Sequence, residues 1–322
     1  MIITRTPYRI SLFGGGSDYP VWCREHGGAV LTTTIDRYCY ILLRRMPSFL
    51  GSRYRIFWSR METTDHLDHI QHPGVRGCLR YLGMDEPLEI NHVGDLPARS
   101  GLGSSSAFTV GMLHALHALR GEPIGRGQLG EEAIRVEQDV LKETVGIQDQ
   151  IECAWGGINR IDFMRDGRYA VSPVNIESRA KLFEDHLVLV STELQRFASE
   201  IAQAQVNNVG TKEKIMYRLV DMVPQAEKIL YEGTPKELGE LLHETWMLKR
   251  QLSDKITNAR IDEIYDAARI HGAIGGKILG AGGGGFMLLC VPPDRRQNML
   301  DVLGLHSVPV RFEYGGSQVV HQ

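Results

Sequence analysis

The sequence has few cysteines, and their positions follow no metal-binding or disulfide pattern. Five cysteines are scattered along the 322 residues without CxxC spacing, at Cys23, Cys39, Cys78, Cys153 and Cys290. An odd number of isolated cysteines argues against both a disulfide framework and a structural zinc site. We therefore expect a protein of the reducing cytoplasm.

The sequence also lacks long hydrophobic runs and a strong net charge. No apolar stretch approaches the about 20 residues that a membrane-spanning helix requires. The N-terminus enters a strand-like run that contains Arg5 and Arg9, which is unlike a signal peptide. The formal net charge of -3 gives no general attraction for nucleic acid or an anionic membrane. We expect neither partner, and the hydrophobic content of 43% predicts a soluble protein with a full core.

Hydrophobic patterns along the chain predict a mixture of strands and helices. In the first part we expect strands at 2–13 and 88–93, one or two strands over 29–44, helices at 75–82, 105–120 and 127–142, a loop that leads to 148–150 and a hairpin over 158–175. In the second part we expect strands at 187–191, 286–291 and 308–314, helices near 198–231, 235–252 and 260–271, and one more helix after 291. Strands and helices do not alternate regularly, which predicts the α+β class. The length favours two domains, which we place at 1–180 and 181–322.

Glycine is abundant, with 35 residues, and it is clustered. The most informative cluster lies in Leu96–Ala107, which we call the phosphate loop. Gly101 and Gly103 let the backbone turn tightly and approach a ligand. Ser104–Ser106 follow at the predicted start of a helix, where free amides and the helix dipole favour an anion. A plain turn or linker is the alternative, but a flexible linker would not pass directly into a long apolar helix.

A second cluster, Arg9–Tyr19, is the first motif. It combines a cation, a glycine turn and a carboxylate within a short span. Asp18 could accept paired hydrogen bonds from sugar hydroxyls, and Arg9 could face phosphate oxygens. Alone, the first motif would be read as a tight turn with a surface salt bridge.

A third cluster lies in Lys277–Phe286, the third motif. Its glycine run Gly280–Gly285 matches the dinucleotide-binding pattern by letter, but that pattern needs a following helix, and here a strand follows. A Walker A loop is also excluded, because Ile278 stands where Ser or Thr is required after Lys277.

Two carboxylates, Glu137 and Asp149, lie on either side of a predicted helix end and loop. A carboxylate near phosphates is unfavourable unless a cation lies between them, so one of the two could hold Mg²⁺. The other could orient or deprotonate an attacking hydroxyl, which is the general-base role in phosphoryl transfer. Either residue alone would more often be a solvated charge on a helix.

Together, the three motifs resemble those of the GHMP kinase superfamily in order and spacing. The resemblance spans nearly the whole chain. It implies a two-domain fold with an N-terminal domain like domain 2 of ribosomal protein S5 and a ferredoxin-like C-terminal domain. It also implies ATP and Mg²⁺ as cofactors. Within the superfamily, the Gly-Gly-Gly-Ser-Asp-Tyr segment and Gln148–Gln150 most resemble the D-glycero-D-manno-heptose 7-phosphate kinase branch, and fucokinase-type domains are less similar.

The resemblance also implies roles for individual residues. Asp149 would be the catalytic base, and Arg9 would support it and the transferred phosphoryl group. Glu137 and a serine, Ser105 in preference to Ser104, would hold Mg²⁺. The nucleotide would bind at Pro97, Ser100, Gly101, Leu102, Gly103, Ser104, Ser105, Ser106, Gly282 and Gly283. The sugar would bind at Gly16, Ser17, Asp18, Tyr19 and Gly283.

The implied reaction is ATP-dependent phosphorylation of the anomeric hydroxyl of a sugar phosphate, with heptose 7-phosphate as the first choice. Galactokinases carry Glu-His in the first motif where Gly15 and Gly16 stand here, which argues against galactose and leaves room for a bulkier sugar. Arg99 and Lys277 are candidates for contacting the terminal phosphate. The alternatives are another sugar 1-kinase, for fucose or a hexose, and a catalytically silent ligand sensor. A homo-oligomer is compatible with the sequence.

Overall fold

The computed structural model of the chain describes residues 1–47, 49, 51–194, 201, 203–204 and 212–322. In these residues the chain forms a sheet of nine strands and a second sheet of four. The strands are β1 (Ile2–Phe13), β2 (Gly28–Arg45), β3 (Tyr54–Phe57), β4 (Met61–Thr64), β5 (Leu88–Gly94), β6 (Ile158–Phe163), β7 (Tyr169–Pro173), β8 (Leu187–Ser191), β9 (Gly275–Ile278), β10 (Phe286–Cys290), β11 (Ser307–Pro309), β12 (Phe312–Glu313) and β13 (Gln318–His321).

Helices accompany both sheets. They are α1 (Pro20–His26), α2 (Pro73–Leu82), α3 (Ser104–Arg120), α4 (Arg126–Arg135), α5 (Gln148–Trp155), α6 (Glu177–Glu184), α7 (Glu213–Glu232), α8 (Pro235–Lys249), α9 (Ala259–Ile270) and α10 (Pro293–Leu303). A 3₁₀ turn spans Leu67–His69, and a π-helical turn, Val136–Val140, extends α4. The mixture of helices with largely antiparallel strands confirms the predicted α+β class.

The long antiparallel pair of β1 and β2 forms the centre of the larger sheet. Its register runs from Ile2 opposite Leu43 to Phe13 opposite Leu31, with a shift between Pro7 and Tyr8. β1 is buried at every position from Thr6 onward. The cause is that the apolar helix α3 and helix α5 pack against β1 and β2. The end of β1 is thereby fixed in the protein interior, where it leads into the first motif.

The chain returns to the larger sheet at its end. β12 pairs with β2 through Phe312 opposite Ile35, and β13 pairs with β1 through Thr4 opposite Val319. The single predicted strand at 308–314 is therefore wrong: two short strands, β11 and β12, occupy this region, and β13 follows them. The division into domains at residue 180 stays a prediction. The structure adds that β12 and β13, at the end of the chain, belong to the larger sheet.

Most other predicted elements are confirmed within a few residues, including the strands at 2–13, 29–44 and 88–93 and the helix at 105–120. The predicted loop that leads to 148–150 is confirmed over residues 141–147, and α5, which the sequence patterns do not predict, begins at Gln148. Of the helix predicted over 198–231, the structure describes α7, and residues 198–200, 202 and 205–211 lie outside the described residues. Within the described ranges, no helix is long and apolar enough to cross a membrane.

Candidate active site

A cavity of about 530 Å³, the central cavity, opens between residues of both sheets. β1 and the first motif form one wall, and the phosphate loop with the first turn of α3 forms another. The segment 142–149, which leads into α5, lies beside them. Helices α7 and α8 and the third motif complete the lining. The three sequence motifs, far apart along the chain, therefore share one cavity.

Arg9 and Asp149 form a bidentate ion pair in this cavity. Nε of Arg9 donates to Oδ1 of Asp149 at 2.7 Å, and Nη2 donates to Oδ2 at 2.5 Å. Two parallel bonds fix the orientation of a carboxylate as well as neutralise its charge. The Arg9 side chain is 4% exposed and that of Asp149 is 25% exposed. Asp149 therefore keeps access to the cavity while Arg9 holds it from the protein side.

Arg9 also ties this pair to the phosphate loop. Its Nη1 donates to the carbonyl of Gly101 at 2.8 Å, and its backbone N–H donates to the carbonyl of Leu102 at 3.0 Å. Burial alone would lower the pKa of the Arg9 guanidinium, but the adjacent Asp149 carboxylate raises it above its usual value. Arg9 is thus a permanent cation that connects the carboxylate of α5 with the turn of the phosphate loop.

Asp18 is a second buried carboxylate at the cavity. Its Oδ1 accepts from the N–H of Gly16 at 3.0 Å, and its Oδ2 accepts from the N–H of Gln148 at 3.4 Å. Burial and the charge of Asp149 raise the pKa of Asp18, and the backbone donors partly oppose that rise. Asp18 is therefore fixed by backbone groups from two distant segments and presents its carboxylate to the cavity.

The phosphate loop turns through two glycines in the left-handed region. Gly101 has φ +78°, and a Cβ there would lie 2.7 Å from the carbonyl oxygen of Leu279. Gly103 has φ +70°, and its Cβ would lie 2.9 Å from Cγ of Arg9. Helix α3 begins directly afterwards, without a side-chain cap from Gly103, and Ser104–Ser106 all line the cavity. These features fit a phosphate group at the helix N-terminus.

The glycines of the third motif form the loop of a β-hairpin between β9 and β10. Its backbone packs directly on the phosphate loop: the N–H of Phe286 donates to the carbonyl of Ser100 at 3.0 Å. A Cβ at Gly280 would lie 2.8 Å from Cα of Gly101. A strand follows this loop, as predicted, which rules out the dinucleotide-binding arrangement. The third motif instead supports the phosphate loop from the second sheet.

Glu137 lies in the π-helical turn and is fully buried. Its Oε2 accepts from Oγ of Ser106 at 3.0 Å and from Nε2 of Gln150. Oε1 has no hydrogen-bond partner among the residues that the structure describes. Burial and the charge of Glu143 raise the pKa of Glu137 to about 8. A buried, unpartnered carboxylate oxygen beside a serine hydroxyl fits the donor set of a Mg²⁺ ion.

The hydroxyl that contacts Glu137 is that of Ser106, whereas Ser105 is an exposed residue of the cavity lining. The sequence singled out Ser105 as the serine ligand of the metal. That assignment stays a prediction, and the contact adds Ser106 as a residue of the same site.

Most other predicted site residues line the central cavity. These are Arg9, Gly16, Asp18, Tyr19, Gly101, Gly103, Ser104, Ser105, Ser106, Glu137, Asp149 and Gly282. Five predicted residues are not among its lining residues, namely Ser17, Pro97, Ser100, Leu102 and Gly283. The assignment of these five residues to the site stays a prediction.

The structure gives several of these five residues other contacts. The hydroxyl of Ser17 donates to the carbonyls of Gly14 and Ala29, at 2.8 and 3.0 Å, and so points into the protein instead of toward a sugar. The N–H of Gly283 donates to the carbonyl of Ile256 at 2.8 Å. These residues hold the motifs in shape.

Some cavity residues escaped the sequence reasoning. They include residues 142–146, Leu219, Thr245 and Lys249. Lys249 is a single lysine in the last turn of an ordinary amphipathic helix, which carries no motif signal. The sequence suggested Arg99 and Lys277 for a terminal phosphate, and both line the cavity. Lys277 is buried, and its Nζ donates to the carbonyl of Leu12 at 2.8 Å.

Comparisons with known proteins agree with this arrangement. The family model described as "GHMP kinases N terminal domain" matches residues 74–157, and "GHMP kinases C terminal" matches residues 226–306. A D-glycero-alpha-D-manno-heptose 7-phosphate kinase of Campylobacter jejuni is 27% identical over 94% of this chain and 93% of its own length. A mevalonate kinase of Methanothermobacter thermautotrophicus is 29% identical over 67% of this chain and 68% of its own length.

The fold is shared with solved structures. A D-glycero-D-manno-heptose 1-phosphate kinase from Bacteroides thetaiotaomicron superposes with a TM-score of 0.82, at 23% sequence identity and over 100% of both chains. The expected GHMP kinase fold is thereby confirmed. Since both family models match, and together span half of the chain, the chain belongs to the GHMP kinase family and is a kinase, in a family whose phosphate donor is ATP.

Proposed function

We propose that the chain is a sugar kinase that transfers the γ-phosphoryl group of ATP to the anomeric hydroxyl of a heptose 7-phosphate. The observation that carries the kinase chemistry is the Arg9–Asp149 pair, which lies in the same cavity as the phosphate loop. The heptose assignment has separate support: a heptose 7-phosphate kinase is similar over nearly the whole length of both chains.

Asp149 is the general base of this proposal. Its carboxylate accepts the proton of the sugar hydroxyl as that oxygen attacks the γ-phosphorus, and ADP is the leaving group. Arg9 donates to both carboxylate oxygens and so fixes the direction from which Asp149 accepts the proton. Little covalent chemistry falls to the protein in phosphoryl transfer, so positioning and charge neutralisation account for most of the catalysis.

The donor side of the site is the phosphate loop with the first turn of α3. Free amides at a helix N-terminus bind phosphate oxygens, and the two glycines allow the close approach. Glu137, with Ser105 or Ser106, would hold Mg²⁺, which would neutralise charge on the phosphates. The unpartnered Oε1 of Glu137 is the observation that fits a cation at this position.

The acceptor side is the first motif. Asp18, fixed by the amides of Gly16 and Gln148, has the geometry to accept hydrogen bonds from vicinal sugar hydroxyls. Tyr19 lines the cavity beside it. Gly15 and Gly16 add no side chains at the positions where galactokinases carry larger ones, which suits a seven-carbon sugar.

A panel of sugars and sugar phosphates in a coupled ADP-release assay tests the proposal. The panel contains heptose 7-phosphate, unphosphorylated heptose, fucose, galactose and mevalonate. We expect turnover that depends strictly on the terminal phosphate. Equal or faster turnover of fucose or a plain hexose would replace this proposal by another sugar 1-kinase, and tight ATP binding without any phosphoryl transfer would indicate a ligand sensor.

A further inference from the structure

Two buried lysines line the central cavity without a part in the phosphoryl-transfer chemistry. Lys249 ends α8, and Lys277 lies on β9; their residues are 8% and 3% exposed. Ammonium groups are rarely buried, because their removal from water costs several kcal/mol unless a partner compensates. Two of them beside one cavity call for an explanation.

The partners of both lysines are neutral carbonyl oxygens. Nζ of Lys249 donates to the carbonyls of Ile278 and Gly280, at 3.2 and 2.5 Å. Nζ of Lys277 donates to the carbonyl of Leu12. In the part of the chain that the structure describes, neither lysine forms a salt bridge. The ion pair of the site joins Arg9 to Asp149. An ammonium has three N–H groups, so both lysines keep donors for a ligand.

On the acceptor side of the cavity the buried charges do not cancel. Arg9 and Asp149 neutralise one another, and the buried carboxyl group of Glu137 lies against Ser106 on the donor side. Asp18 is then the one buried carboxylate of the first motif beside two lysines. Burial lowers the pKa of Lys249 to about 7, and the charge of Arg9 contributes. Burial, Lys249 and Arg9 lower the pKa of Lys277 well below its usual value. An anion in the cavity would reverse these shifts and hold both lysines charged.

The position of the lysines favours the acceptor side of the cavity. Leu12, which Lys277 contacts, stands in β1 just before the glycine turn that leads to Asp18. Asp18 also acts electrostatically on Lys249. The donor side has its own anion-binding groups, in the amides at the start of α3. A second anion, on the acceptor, is what remains for the lysines.

We propose that Lys249 and Lys277 together bind the non-reacting phosphate of the sugar-phosphate substrate and so determine its specificity. This inference rests on the proposed function, which it deepens by assigning the terminal phosphate to named residues. Arg99, suggested from the sequence for the same group, is an exposed residue of the cavity lining and is not included.

Calorimetric titration with inorganic phosphate tests the site without the substrate. The enzyme is first saturated with Mg²⁺ and a non-hydrolysable ATP analogue, so that the donor-side phosphate positions are filled. We expect the wild type to bind phosphate, and Lys249→Met and Lys277→Met to bind it at least about tenfold more weakly, as loss of a charge-assisted hydrogen bond implies. Lys255→Met, an exposed lysine outside the cavity, is the matched control.

Two results of this titration would overturn the inference. Competition between phosphate and the ATP analogue on the wild type would assign the lysines to the nucleotide. Unchanged phosphate affinity in both methionine variants would show that the lysines do not bind an anion. The competition experiment uses the wild type and therefore tests the inference even if a variant does not fold. The affinity of each variant for the ATP analogue reports whether that variant is folded.

Kinetics separate the inference from the proposed function. For the wild type, the ratio of kcat/KM for heptose 7-phosphate to kcat/KM for unphosphorylated heptose measures discrimination. We expect that ratio to fall at least about tenfold in both methionine variants, through KM for the sugar phosphate, with KM for ATP unchanged. Discrimination that persists in the variants contradicts the inference alone. A wild type inactive on every sugar phosphate contradicts the proposed function, while the phosphate titration still decides the inference.

Discussion

Gly146 and Asp18 are in such close contact that a Cβ at Gly146 would lie 1.8 Å from Oδ2 of Asp18. Asp18 belongs to the first motif and Gly146 to the loop before α5, and the amide of Gln148 donates to the same carboxylate oxygen. Real Cβ atoms do not approach other atoms this closely, so residue 146 must lack a side chain for Asp18 to keep its position. The loop before α5 thus fixes the geometry of the first motif.

Gly146→Ala should therefore impair binding of the sugar more than binding of ATP. The new methyl group must displace the Asp18 carboxylate or the loop, and we expect KM for the sugar to rise about tenfold or more, because misplaced positioning groups cost large factors. Steady-state kinetics with each substrate varied provide the measurement. Gly127→Ala is the control, since a Cβ at Gly127 on α4 meets open space. An unchanged sugar KM in Gly146→Ala would refute the role of Asp18.

Glu137→Gln should raise the Mg²⁺ requirement of the enzyme. The amide keeps the size of the carboxyl group and an acceptor for Ser106 and Gln150, but it removes the charge that a cation needs. We expect the free Mg²⁺ concentration for half-maximal turnover at fixed ATP to rise at least about tenfold, as loss of charge-assisted coordination implies. The same Mg²⁺ response in wild type and variant would remove Glu137 from the metal site.

The buried carboxyl group of Glu152 should make the free energy of unfolding depend on pH. It is fully buried on α5, and burial raises its pKa to about 8, although Asn159 donates to its Oε2 at 3.0 Å. The pKa of this carboxyl group is higher in the folded state than in the unfolded state. Its contribution to stability is therefore complete below a pH of about 4.5, where the group is protonated in both states. That contribution is lost as pH rises toward about 8, because the unfolded state then binds fewer protons.

Glu152→Gln should therefore weaken the dependence of the free energy of unfolding on pH. Relative to the wild type, the variant should be more stable at pH 8 than it is at pH 5. Midpoints of urea unfolding at pH 5, 6.5 and 8 provide the measurement. Glu131→Gln, an exposed glutamate on α4, is the control that should follow the wild type. A difference between Glu152→Gln and wild type that does not change with pH would contradict the assigned protonation of Glu152.

The sequence was sufficient to predict the α+β class, the main strands and the three motifs, because each is a local pattern of glycines and hydrophobic residues. It also named both partners of the central ion pair. That Arg9 supports Asp149 came from the family resemblance alone. Local patterns could not show the contact, because Arg9 and Asp149 are 140 positions apart and meet only when β1 and α5 pack. The helix α5 is not predicted from the sequence, because Gln148–Gln150 carry no strong helix signal.

The direction in which a side chain points is the second property that the sequence could not predict. A hydroxyl in a glycine-rich motif can face a ligand or the protein, and Ser17 faces the carbonyls of Gly14 and Ala29. Neighbouring serines of a helix start differ in the same way, as Ser105 and Ser106 do toward Glu137. Lys249 shows the converse: it reaches the cavity through tertiary packing alone, and a single lysine on a helix does not predict that.

The kinetics of Asp149→Asn test the central claim most directly. Asparagine keeps the shape of the side chain but can neither accept the proton of the sugar hydroxyl nor keep its ionic pair with Arg9. In a coupled ADP-release assay with heptose 7-phosphate, we expect kcat to fall at least about a hundredfold, with the Kd for ATP nearly unchanged. Asp139→Asn, at an exposed aspartate that does not line the cavity, is the control and should be fully active. A kcat for Asp149→Asn close to that of the wild type would contradict the assignment of Asp149 as the catalytic base.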